Sequence, residues 1–217
     1  MIKNFSLLFL ILFFVSCGDS GSSKNGSSDL SAYNSVSQES AALVGINDPL
    51  PIQAETFRTN VTLINFTPEQ RVKYEKAIGI VKKVVASEEF KNRLLNFTYQ
   101  GALTYVDTTK SNEEIYQNIL KANERLFPAI NNQMDVEIEL YYENTTTVGY
   151  TYSNSKRIWV NTKYFNNYTP ASVAGNLFHE WLHKLGYTHA VSYSISRDSS
   201  VPYAIGRMVS SLGRQYE

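Results

Sequence analysis

The chain has 217 residues, with 20 Lys+Arg against 20 Asp+Glu, a net charge of 0 and a pI near 6.8. That balance excludes nucleic-acid binding through a generally basic face, and no nucleic-acid partner is expected. Hydrophobic content of 43% and aromatic content of 13% exclude a wholly disordered chain, and a single Cys excludes an intrachain disulfide.

The N-terminus reads MIKNFSLLFLILFFVSCGDS. Lys3 supplies a positive start, and residues 7–15 form an unbroken apolar run. A membrane-spanning helix needs about 20 apolar residues, so this run is too short to be one and fits an export signal. Phe14-Val15-Ser16-Cys17 resembles the lipobox of bacterial lipoproteins, with Phe14 where that family usually has Leu. The resemblance implies cleavage after residue 16, a lipid on Cys17 and attachment to a membrane of the bacterial cell envelope, at the outer membrane or cell surface. The segment 17–45 is dominated by Ser, Gly and Asn up to about residue 40. It cannot bury enough apolar surface to offset its ordering entropy, and reads as a flexible tether. Residues 46–217 remain for one folded domain, expected to be monomeric.

Residues 60–66 alternate weakly and suggest a short strand. Thr67-Pro68-Glu69 then has the chemistry of a helix start. The apolar spacing over 69–97 predicts an amphipathic helix broken near Ser87. Residues 98–106 are β-prone. A second helix is expected over 111–127, opened by a Ser111/Glu114 capping box and closed by Pro128. Residues 135–142 alternate, with Val136, Ile138 and Leu140 on one face and Glu137 and Glu139 on the other, which predicts a half-buried strand. Two further strands are expected at 148–152 and 157–160, joined by Ser153-Asn154-Ser155.

Thr169-Pro170 opens a third helix that runs to Gly186, a natural left-handed terminator. It contains His179, Glu180 and His183. Residues four apart share a helical face, so two imidazoles can converge on one ion, while the adjacent Glu180 is placed to reach a water on it. Leu177, Phe178, Trp181, Leu182 and Leu185 mark the helix as buried, where polar groups are costly without partners. Gly186 lets the chain reverse and return His189 to the same point. Three His ligands leave a fourth tetrahedral position open, as catalytic zinc sites do and closed structural sites do not.

The string HEWLHKLGYTH fits HExxHxxGxxH, and all three His of the chain lie within it. The segment resembles the metzincin metalloproteases. The resemblance implies an α+β zincin-like fold: a small mixed sheet packed on helices, an HExxH active-site helix and a short C-terminal subdomain. It implies Zn2+ held by His179, His183 and His189, Glu180 as general base, and residues 148–152 as an edge strand along which an extended peptide binds. Metzincins carry a Met-containing turn beyond the third His. Here the only downstream Met is Met208, in a helical context, and the nearer turn chemistry is Ser200-Val201-Pro202-Tyr203. Tyr203 takes the catalytic Tyr position of some metzincins, with Tyr193 second, although Tyr203 reads equally well as a core or turn residue.

The expected function is a zinc-dependent endopeptidase acting on peptide or protein substrates. Two alternatives stay open: a membrane-tethered zinc-binding adhesion protein without catalysis, and a zinc hydrolase of cell-wall peptides. With Cys17 the sole Cys, no thiol near the cleft is available to a cysteine-switch pro-segment.

Overall fold

The structure is a computed structural model that describes residues 57–126 and 131–217. The expected export signal, Cys17 and the tether lie outside the described residues, as does Pro128. No described helix is long and apolar enough to cross a membrane.

Strand β1 (Arg58–Ile64) leads into α1 (Pro68–Val85). The Thr67 hydroxyl accepts from the N–H of Gln70, and the Gln70 side chain accepts from the N–H of Thr67. This capping box satisfies two otherwise unpaired donors. The expected break falls at Ser87, which caps α2 (Glu88–Leu95) by accepting from Phe90 N–H. Ser111 and Glu114 cap α3 (Asn112–Lys121) as their spacing requires.

Two expectations need correction. Residues 98–106 form no strand; they make isolated bridges, Tyr99 with Ala102 and Val106 with Ser200. Gln100 and Gly101 both have positive φ and fold the run into a tight turn. Tyr105 is instead packed flat against Phe97 and donates its hydroxyl to the Leu94 carbonyl. The helix expected over 111–127 stops at Lys121, because Ala122 adopts a left-handed conformation. The chain leaves the helical path there, and Glu124 enters the interior.

Strands β2 (Gln133–Tyr141), β3 (Gly149–Thr151) and β4 (Arg157–Asn161) join β1 in one mixed sheet of order β1-β2-β4-β3. The β1–β2 and β2–β4 pairs are parallel; β3 runs antiparallel to β4 at the edge. Met134, Val136, Ile138 and Leu140 point into the core, with Ile158 and Val160 of β4 beside them. On the outer face Arg157 bridges Glu137 and Glu139 at 2.9 and 2.8 Å. The fold is thus α+β, an open four-stranded sheet packed on helices.

After the short α4 (Thr162–Phe165), helix α5 (Pro170–Lys184) crosses the core against α1 and, most closely, α7 (Val201–Gly213). A one-turn helix α6 (Ile195–Asp198) precedes α7, and a 3-10 turn over Arg214–Tyr216 follows it. The segment Ser200-Val201-Pro202-Tyr203 is therefore not a free-standing turn. It is the N-cap and first turn of α7, where Pro202 fits because its missing N–H would be unpaired anyway. Met208 is helical and faces inward, 8% exposed. The C-terminal segment joins the same apolar cluster as the sheet and α1.

Glycines set how closely α5 and α7 approach. A Cβ on Gly175 would lie 2.7 Å from both the Gly206 carbonyl oxygen and the Ser210 Cβ. A Cβ on Gly206 would lie 3.0 Å from the His179 Cβ. Gly175→Val is expected to cost about 1–3 kcal/mol by overpacking. Gly79→Ala, a helical position with nothing within 4 Å, is expected to stabilise by about 0.5–1 kcal/mol. Urea unfolding of the two variants checks the opposite signs.

Candidate metal centre

Helix α5 carries His179, Glu180, His183 and Lys184 in its last two turns, after a start capped by Thr169 through the N–H of Ser172. Its end is built as the sequence suggests. Gly186 has φ 93°, its N–H reaches the His183 carbonyl, and the Tyr187 N–H reaches the Leu182 carbonyl. These are the two bonds of a Schellman turn. The reversal does two things at once. It swings His189 back toward the helix, and it brings the Tyr187 carbonyl within 2.7 Å of His183 Nδ1.

The three imidazoles form a near-equilateral triangle. Ring centroids are 5.1 Å apart for His179–His183, 5.2 Å for His179–His189 and 4.9 Å for His183–His189. One ligating atom from each ring lies within 4.8 Å of the other two. Each ring is also oriented by main chain: His179 through Pro202, His183 through Tyr187, and His189 through the Ala190 carbonyl at 3.0 Å. With Nδ1 of His183 and His189 held by carbonyls, their Nε2 atoms are the ones presented as ligands, the arrangement that fixes tautomer and orientation in metal sites. The Nε2 atoms of His179 and His189 are buried and have no hydrogen-bond partner among the described residues. Burial pushes all three imidazoles down, with His183 down to about 4 and the neighbouring rings adding to the effect on His179 and His183. They are neutral at pH 7, the form in which imidazole binds a cation. The residues present therefore fit a metal ion, since buried nitrogens that are neither protonated nor hydrogen-bonded need a partner.

Glu180 is 0% exposed, and neither carboxylate oxygen has a hydrogen-bond partner among the described residues. Burial pushes its carboxyl up to about 8, partly offset by Lys184. In the metal-free chain the folded state keeps this proton to about pH 8, whereas the unfolded chain loses it near 4.5. The folded state then binds the extra proton between those values, so this group's contribution to stability falls as pH rises from about 4.5 to 8 and is flat above. Melting of chelator-treated protein checks the sign. Glu180→Gln should gain on the parent with each step from pH 5 to 8 and gain no more beyond; a gap independent of pH contradicts the burial argument.

Lys184, 4% exposed, donates to the carbonyls of Tyr152, Ser155 and Arg157. It ties the β3–β4 hairpin to the helix one residue from His183. Burial lowers Lys184 to about 8, opposed by the charges of Glu180 and Glu124. Glu124 in turn accepts from Trp181 Nε1 at 2.5 Å and from the Asp135 N–H at 2.9 Å, and burial pushes it up to about 7. The neighbouring Arg125 N–H donates to the Lys184 carbonyl, so the loop after α3 braces the end of the helix.

Tyr203 sits beside the triad, its ring 4.7 Å from that of His179 and 4.5 Å from that of His189. The buried Arg197 guanidinium lies over the Tyr203 ring, 4.6 Å from its centroid. Tyr203 also packs with Val148, which immediately precedes the edge strand. Tyr193, the second choice, is 57% exposed and lies under the Arg197 guanidinium, 5.1 Å from its ring centroid. Residues 148–152 supply the antiparallel edge strand, observed at Gly149–Thr151.

The structure thus brings together His179, His183, His189, Glu180 and Tyr203. It adds Lys184, Glu124, Arg197 and Asn176, which sequence reasoning missed. Lys184 had one visible signal, being the sole Lys or Arg of a mostly apolar helix; Glu124 had none, being off the apolar stripe of its segment.

Comparison with protein-family models, with curated proteins and with solved structures finds no match for this chain. What the structure adds to the sequence motif is a His179/His183/His189 cluster that could hold a metal ion.

Proposed function

We propose that the chain is a zinc-dependent endopeptidase, exported and anchored to a bacterial envelope membrane through a lipid on Cys17. The observation that carries this reading is a convergent triangle of His179, His183 and His189, in which the Nε2 atoms of His179 and His189 have no partner among the described residues, next to the buried, unpaired Glu180 carboxylate. A structural three-histidine site has no use for that carboxylate, and burying it unpaired is costly.

His179, His183 and His189 would hold the ion. When bound, zinc acidifies a water molecule toward neutral pH and polarises a carbonyl. The carboxyl of Glu180, kept near neutrality by burial, is suited to take a proton as water attacks the peptide carbonyl and to give it to the leaving nitrogen. A nearby cation favours its ionised form, so metal uptake and the base function are coupled. Tyr203, in edge-to-face contact with two of the ligands, would offer its hydroxyl to the developing oxyanion. Edge strand β3 aligns an extended peptide by main-chain pairing.

Casein digestion by the zinc-loaded chain tests the reading. Cleavage should stop with a chelator and return with added zinc. Intact casein alongside cleavage of peptidoglycan-derived peptides would move the substrate class to the cell wall, and no hydrolysis of either by a zinc-loaded chain would refute catalysis.

A further inference from the structure

Asn176 lies one helical turn before His179, on the side of α5 that faces the edge strand. The residue is 9% exposed; its carboxamide makes no hydrogen bond among the described residues and is not fully enclosed, so it is open to a partner from outside. Its position is made by the sheet. Gly149 opens β3 directly above it, and a Cβ there would lie 3.2 Å from Asn176 Oδ1 and 3.5 Å from Nδ2. The absence of a side chain at 149 is what lets the amide stand against the strand.

The other side of the amide faces a groove between α5 and α7. Ser172, Gly175, Gly206 and Arg207 line it together with Asn176, and so do His179 and Tyr203. The groove thus brings Asn176 together with one metal-ligand candidate, His179. A carboxamide has one acceptor and two donors, the set that matches the N–H and C=O of a single peptide unit. Packing alone would be met by Leu or Met, neither of which leaves polar atoms exposed to this groove.

We propose that Asn176 is a substrate-binding residue, whose carboxamide pairs with a main-chain peptide group of the substrate where it passes from edge strand β3 into the α5–α7 groove. The inference rests on the endopeptidase reading and goes beyond it by assigning a main-chain contact on the helix side of the cleft. It makes affinity depend on the substrate backbone at one position, independent of the side chain there.

The test uses the zinc-loaded full chain carrying Glu180→Gln, so that binding is read without turnover. The probes are a library of casein-derived decapeptides and counterparts N-methylated at single positions, followed by fluorescence polarisation. Asn176→Ala should weaken peptide binding about tenfold, the scale of one or two peptide hydrogen bonds, with zinc content and melting temperature unchanged. N-methylation at one position should weaken binding to the Asn176 form by a similar factor and have little further effect in Asn176→Ala. Equal binding by both forms, or N-methyl losses that add fully to the Asn176→Ala loss, would overturn the assignment and leave the endopeptidase reading standing. Failure of the zinc-loaded Asn176 form to bind any library member would overturn both.

Discussion

Glu180→Gln should retain one zinc per chain and lose peptide hydrolysis by a factor of about 10²–10⁴, the range that general acid–base catalysis contributes. The substitution is nearly isosteric. It removes the titrating group and leaves the helix, the three imidazoles and their carbonyl partners in place. Since the carboxylate oxygens make no hydrogen bond among the described residues, no network is broken by the change. The metal-free variant should also be no less stable than the parent at pH 8, where the parent holds Glu180 partly ionised in a buried site. Loss of activity without loss of metal or fold would identify Glu180 as the base. Full activity in the variant would remove it from the reaction.

His183→Ala should abolish metal retention. Changing groups that merely orient a ligand lowers metal affinity about 10–100-fold, so removing a ligand should exceed that range. His183 is also the ring most firmly aimed, its Nδ1 held at 2.7 Å by the carbonyl of the reversal that delivers His189. The readout is both metal content after dialysis and thermal stability. Zinc at a thousandfold excess over its dissociation constant should stabilise the parent by about 4 kcal/mol through mass action. The variant should show no such shift. An equal shift in both would mean that the ion binds elsewhere.

What the sequence disclosed was chemistry that acts over a turn or less. Thr67, Ser87, Ser111 and Thr169 each cap the helix that their side chains can reach, and Gly186 ends α5 in the left-handed region. The alternation in β2 survived because one sheet face is buried and the other paired to Arg157. The triad was legible for the same reason: its three rings come from eleven residues whose helix and reversal are locally determined. Long-range decisions were not legible. The β-prone run 98–106 lost to a turn that delivers Tyr105 to the core. Ala122 left the helix because Glu124 had a partner in Trp181, 57 residues away. Tyr203 reached the ligands only because Gly175 and Gly206 let two helices meet closely, a fact that no window of either helix contains. Asn176 was hidden likewise, its significance depending on Gly149 across the fold.

The account stands on three histidines holding one cation with a coordination position left for exchange. Zinc-edge X-ray absorption of the zinc-loaded chain, recorded before and after adding azide, measures this directly. The account predicts three imidazole nitrogens at about 2.0–2.1 Å and a remaining light ligand that azide replaces. Fewer than three imidazoles, or a fourth protein donor that azide does not displace, would contradict it.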